Sequence, residues 1–227
     1  KGEKKHEKSG MRILITGGTS GLGKAAIEVF LFRGWSVATF GRRNTLISEL
    51  RNKYRDYPFI GEVCDMRVAN HVDSFLEQVK ESFGGLDVIA LNAGELGKSP
   101  LKSVGELELE DFRTVFETNL FGNVSLIQKI LRNFQENKIV FSHVTSDAGS
   151  NPYANWGPYG SSKASMDFLM KIMEVENQGT GKQFVSFDPG NMNTEMHHLA
   201  LPEDDPVKLK NPVQSADELY MQVMELI

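Results

Sequence analysis

The sequence predicts an α/β protein: a doubly wound parallel β-sheet with helices on both faces, in three αβα layers. Three observations predict it. Short apolar runs alternate with segments of helical period along most of the chain. The helical segments are long enough to return the chain between parallel strands by right-handed crossovers. A glycine-rich stretch, "TGGTSGLGK", stands where the first apolar run opens into the first helix.

From Met11 onward the elements follow in order. "RILITGG" is a strand ending in glycines, and "GKAAIEVFLFRG" is a helix stopped by Gly34. "WSVATFG" is the second strand, and "NTLISELRNKY" a helix with Asn44 as its N-cap. "FIGEVCD" is a strand, "VDSFLEQVKESFGG" a helix with a glycine stop, and "DVIALNAG" a buried strand. A long helix is expected from Asp111 to Phe134, a strand at "KIVFSHVTS", and a helix from Tyr159 to Glu176. "QFVSFDPG" completes six strands, and Ala216 to Leu226 forms the last helix. Gly190 to Gln214 lacks clear periodicity and reads as an irregular segment over the site.

The 227 residues, 40% hydrophobic, suffice for one sizeable core. With no repeat and no Ser/Pro-rich linker, residues 11–227 read as one domain, behind a tail or tag remnant at 1–10, "KGEKKHEKSG". That tail has no apolar core of a signal peptide. A net charge of −5 provides no basic footprint for nucleic acid. No apolar run approaches the roughly 20 residues that cross a bilayer. Cys64 is the sole cysteine, which suits a reducing compartment, and a cytoplasmic location is expected.

The glycine stretch carries Gly17, Gly21 and Gly23, with Thr19, Ser20 and Leu22 completing the loop. Such a turn lets backbone approach a pyrophosphate and sets the anion on a helix N-terminus. After the second strand, where an acid would hold the ribose 2′-hydroxyl of NAD, stand Gly41, Arg42 and Arg43. A guanidinium grips a 2′-phosphate through paired N–H groups, so NADP is expected and NAD is less favoured. Asp65 is a candidate acceptor for the adenine amino group. Asn92, Ala93 and Gly94 end the fourth strand where ligands of such sheets bind. Asp87, before that strand, reads as structural.

Tyr159 and Lys163 lie four residues apart on one helix face. Ser146 ends the fifth strand, thirteen residues before the tyrosine, and Asn119 sits within the long helix. With the glycine stretch, "NAG" and "PGNMNT", these motifs resemble the short-chain dehydrogenase/reductase family over nearly all of Met11 to Leu226. The resemblance implies a Rossmann sheet and hydride transfer between a nicotinamide and a carbonyl or alcohol. It also implies roles: Tyr159 as general acid/base, Ser146 orienting the carbonyl, and Lys163 tuning the phenol and bonding the nicotinamide ribose. Asn119 would hold a water beside the lysine, Thr194 would contact the carboxamide, and Pro189 and Gly190 would also bind the cofactor. A phenol with pKa about 10 needs about 4 kcal/mol of phenolate stabilisation to work near neutrality. Lys163 and an oxidised nicotinamide are expected to supply it. A dinucleotide sensor without turnover is the alternative, disfavoured because both Tyr159 and Lys163 are present.

The substrate is expected against Leu96, Asn151, Trp156, Met192 and Met196. His143, His197 and His198 lack the companions of a metal site, so none is assigned. On the Tyr159 helix, Asp167, Lys171 and Glu174 form one narrow polar stripe, leaving a wide apolar arc. The family pairs such helices across a dimer, so a homodimer is expected. Members usually add a seventh strand where this sequence stops, so six strands, and a dimer before a tetramer, are expected.

Overall fold

The computed structural model describes residues 10–135 and 138–227; nearly all of the expected N-terminal tail lies outside them. Six strands are present: β1 (Arg12–Thr16), β2 (Ser36–Gly41), β3 (Phe59–Val63), β4 (Val88–Leu91), β5 (Ile139–Val144) and β6 (Lys182–Phe187). All pair in parallel, in the order β3-β2-β1-β4-β5-β6. The helices are α1 (Gly21–Phe32), α2 (Asn44–Lys53), α3 (Ala69–Phe83), α4 (Leu109–Phe116), α5 (Asn123–Asn133), α6 (Gly157–Glu176), α7 (Glu195–Ala200) and α8 (Pro212–Leu226). The chain winds outward through β3 and then returns to β4, so a crevice opens between β1 and β4 at the strand C-termini.

The strands bury both faces, which is why they read as continuous apolar runs. In β1, Leu14 joins Leu76, Ile127 and Met166 of α3, α5 and α6 in one core. Ile13 and Ile15 point the other way, to Ala26, Phe30 and Leu219 of α1 and α8. Asp87 is structural, as expected: its carboxylate accepts from the Arg12 amide at 2.8 Å and its guanidinium at 2.8 and 2.9 Å, aligning β4 with β1.

Four local expectations need correction. Asn44 is the first residue of α2, after Arg43 as N-cap, and no side chain caps that end. The helix expected from Asp111 to Phe134 starts at Leu109, ends at Asn133 and is interrupted by a π-turn, Glu117–Gly122. The Tyr159 helix begins earlier, at Gly157, with Pro158 in its first turn, where its missing N–H costs nothing. The segment expected to be irregular holds α7, a parallel bridge between Met192 and Lys210, and the start of α8. There Asn211 and Gln214 form a capping box around Pro212, a cap signature that periodicity overlooks.

Two residues of the polar stripe on α6, Asp167 and Glu174, bond the sheet edge, while Lys171 stays exposed. Asp167 accepts hydrogen bonds from Thr145 Oγ1 and, at 2.6 Å, from Ser186 Oγ, while Glu174 accepts from the Phe184 amide at 2.6 Å. The exposed side of α6 also carries apolar residues, with Phe168, Ile172 and Val175 open to solvent, and Phe121 of the adjoining π-turn is exposed as well.

Candidate active site

The glycine turn is shaped by contacts that admit no side chain. Gly17 has φ +68°, and a Cβ there would come within 2.9 Å of Ala93 Cα. A Cβ on Gly23 would meet Gly17 O at 2.3 Å, since the turn folds directly onto α1. Gly18, left out of the sequence reading, is as tight: its Cβ would fall 2.3 Å from Thr39 Oγ1. The backbone therefore runs open along the crevice, and the N–H groups that begin α1 face it without a side-chain cap from Ser20. These residues fit a dinucleotide pyrophosphate.

Asn92 is committed to the scaffold. Its Nδ2 donates to Thr16 O at 2.9 Å, which ties the end of β4 to the end of β1. Thr16, which the sequence reading also missed, accepts from the amides of Asn92 and Ala93 at 2.9 and 2.8 Å. Asn92 thus positions Ala93 and Gly94 while itself lining the cavity.

At the β2/β3 end, Arg42 and Arg43 are both exposed on the cavity wall, and Arg43 reaches Thr19 Oγ1 at 3.4 Å. Asp65 is already engaged. The Arg67 guanidinium chelates its carboxylate at 2.7 and 3.0 Å, and the Arg67 amide adds a bond at 3.0 Å. Those bonds, chiefly the guanidinium's, pull its pKa down to about 2. The expected adenine acceptor therefore competes with Arg67, a third arginine at this end that the sequence reading overlooked.

At the β5/β6 end, three expected residues converge. Ser146 heads a short turn, accepting from the Ala148 amide at 3.2 Å, and its hydroxyl also interacts with the Tyr159 phenol. Its two rivals are used elsewhere: Ser142 is buried against Gln222 and Thr145 bonds Asp167. The Lys163 ammonium is buried, donates to Val144 O at 2.7 Å, and lies 5.6 Å from the Tyr159 ring centroid. Asn119 is fully buried in the π-turn. Its Oδ1 accepts from the Glu95 amide at 2.7 Å, and its Nδ2 donates to Glu95 O at 3.0 Å and Ser162 Oγ at 2.9 Å. Both amide hydrogens are spent, so the side chain clamps the loop after β4 to α6. The π-turn fits this clamp, because Asn123 Nδ2 bonds the Asn119 carbonyl from one turn later.

The protein alone shifts both members of the Tyr159–Lys163 pair. Burial pushes the Tyr159 phenol up to about 12. The Ser146 hydrogen bond opposes this, and Asp188 and Asp147 add to it. Complete burial also lowers the Lys163 pKa to about 8, against the raising influence of Asp167. Pro189 and Gly190 follow β6 into the same cavity, and Thr194 caps α7, accepting from the His197 amide at 3.3 Å beside Gly21.

One cavity of about 840 Å³ joins these groups. It runs from Arg42 past Gly17 and Ala93 to Ser146, Tyr159 and Lys163, and on to Leu96, Trp156, Met192 and Met196; Asn151 does not line it. Its size suits a cofactor and a small substrate. Among the described residues no cluster of three or more His, Cys, Asp or Glu is arranged for a metal. No helix among them is long and apolar enough to cross a membrane.

Known proteins share this architecture. Residues 11–205 match the family model of short chain dehydrogenases. The sulfoacetaldehyde reductase 2 of Chromohalobacter salexigens is 33% identical over 81% of this chain and 73% of its own. An NADP-dependent 3-hydroxy acid dehydrogenase of Escherichia coli is 28% identical over 86% and 78%. A serine dehydrogenase solved in its closed form with NADP+ superposes with a TM-score of 0.82 at 25% identity, over 93% of this chain and 88% of that one. The match spans the glycine turn and reaches past Tyr159 and Lys163, and on that ground the chain belongs to the short-chain dehydrogenase family of oxidoreductases.

Proposed function

We propose that residues 11–227 act as one NADP(H)-dependent carbonyl reductase, with Tyr159 as the proton donor. The observation that carries this reading is the convergence of Ser146, Tyr159 and Lys163 in the cavity that also holds the glycine turn. The NADP named for its relatives supports the cofactor, and the arginines beside Gly41 support the choice of NADP over NAD.

When bound, the nicotinamide supplies a hydride to the carbonyl carbon. Tyr159 Oη donates its proton to the oxygen as negative charge develops there, and the Ser146 hydroxyl donates a hydrogen bond to the same oxygen. Burial and the two aspartates keep the phenol protonated at neutral pH, the state that reduction requires. Lys163 supports the phenolate left behind with its ammonium, and Asn119 and Asn92 hold the surrounding backbone. Incubating the protein with NADPH and a panel of aldehydes and ketones tests the reading. Tight NADPH binding without oxidation on any of them would instead favour a dinucleotide sensor.

Arg42→Ala is expected to raise the KM for NADPH about tenfold or more and to change that for NADH little, since only the former carries a 2′-phosphate. Equal effects on both would reject the role of Arg42.

The exposed Phe168, Ile172 and Val175 on α6, with Phe121 beside it, support a homodimer through this face. Light scattering behind gel filtration should report twice the chain mass at micromolar concentration. A monomer would sink the assignment.

A further inference from the structure

The two ends of the cavity differ in charge. The β2/β3 end carries Arg42, Arg43 and Arg67, with Asp65 neutralised by the last. The end beyond Tyr159 has no comparable cation. Its walls carry apolar side chains: Leu96 and Tyr159, buried in one cluster with Ala148, line it together with Trp156 and Ala200, and Leu199 is exposed on α7 beside them. Trp156 stands edge-on to Tyr159 at 5.6 Å, presenting an indole next to the reacting hydroxyl.

Acids outnumber cations at this end. Asp147 and Asp188 lie close enough to raise the Tyr159 pKa, and Glu195 begins α7 on the same wall. Glu95 also lines the cavity, but its carboxylate accepts from Thr118 at 3.0 Å and lies in the field of Arg67. Two groups that line the cavity at this end can carry positive charge. Lys163 is buried and donates to Val144 O. His197 is paired with Asp204 at 2.8 Å. Lys98 and Lys102 stand behind Leu96 and Trp156, with Lys98 paired to Asp111 at 2.6 Å, and Lys210 beside Gly190 pairs with Glu218 at 2.6 Å. A carboxylate or sulfonate placed here loses its water, meets three acids and finds, among the described residues that line the cavity, no cation beyond Lys163 and His197, both already engaged. An uncharged ring replaces water on Leu96, Leu199 and Trp156.

Taking the reductase reading as its basis, we infer that the site selects uncharged carbonyl compounds with a bulky apolar or aromatic group and discriminates against anionic ones. The acids act at a distance, whereas the substrate's side group touches carbon. Neutral compounds therefore outrank cationic ones as well.

The test uses three para-substituted benzaldehydes of similar size, bearing a methyl ester, a carboxylate or a trimethylammonium group, with saturating NADPH at neutral pH. The expected kcat/KM is at least tenfold higher for the ester than for the carboxylate, with the cation between them. Equal or better use of the carboxylate overturns the inference, and so does a preference for the cation over the ester. In Asp147→Asn the carboxylate-to-ester ratio is expected to rise severalfold, whatever happens to the absolute rate; an unchanged ratio counts against the acids. Calorimetric binding of the same compounds to NADPH-loaded Tyr159→Phe protein separates this inference from the reductase reading. The same order of affinity without turnover in the unaltered enzyme would leave the selectivity standing and the catalytic assignment failed. Absent or inverted binding preference would overturn the selectivity itself.

Discussion

Tyr159→Phe is expected to lower kcat at least 100-fold while NADPH binds with near-normal affinity. The phenyl ring keeps the packing against Leu96 and Ala148, so the fold and the cofactor cleft stay in place. What disappears is the hydroxyl proposed to deliver a proton to the developing alkoxide, a contribution of 10²–10⁴ in rate, or about 3–5 kcal/mol. Because the phenol sits near 12, reduction by the unaltered enzyme should show no loss from tyrosine ionisation across neutral pH. The fall should begin as pH rises through about 8, where Lys163 gives up its charge. Steady-state rates from pH 6 to 10, with fluorescence titration of NADPH, check both parts. Retention of a tenth of the rate in the variant would remove Tyr159 from the proton transfer.

Lys163→Met is expected to produce two large effects of opposite benefit. Turnover should fall at least 100-fold, since the only cation beside the phenol is gone. Stability at pH 7 should rise. The native lysine has a pKa near 8 against the ordinary 10.5, so the folded state is the poorer proton binder. Below pH 8 the native state bears the whole cost of a buried ammonium. Between 8 and 10.5 the cost fades, because the unfolded chain alone still holds the proton, so stability from this group rises with pH there. The gap corresponds to about 3 kcal/mol, and the carbonyl of Val144, left without its donor, takes back about 1 kcal/mol. A net gain of about 2 kcal/mol corresponds to a Tm increase of roughly 4–8 °C. The gain should shrink at pH 10. A lower Tm at pH 7, or a gain independent of pH, would contradict the cost assigned to the buried charge.

Much of this protein was legible in its sequence because the relevant physics is local. Alternation between apolar runs and helical periods is enough for six parallel strands and their crossovers, since a buried parallel strand must be apolar on both faces. Gly17, Gly21 and Gly23 are readable for the same reason: a turn that passes close to a ligand needs them within a few residues of one another. Tyr159 and Lys163 share a helix face by spacing alone, and Ser146 is placed by the strand that ends beside it.

The tertiary structure alone decided what depends on partners far apart in the chain. Thr16 and Asn92 are separated by 76 positions yet bond across β1 and β4, so a residue that borders the cavity is also a strut between strands. Asn119 spends its amide on Glu95 and Ser162, and the helix around it widens into a π-turn that periodicity cannot show. Gly18 is required by Thr39 on the neighbouring strand, and Asp65 is claimed by Arg67. The charge state of the Tyr159–Lys163 pair belongs here as well. Spacing puts a lysine beside a tyrosine, but burial raises one pKa and lowers the other. Desolvation depends on every atom that packs around a group, and no window of sequence contains those atoms.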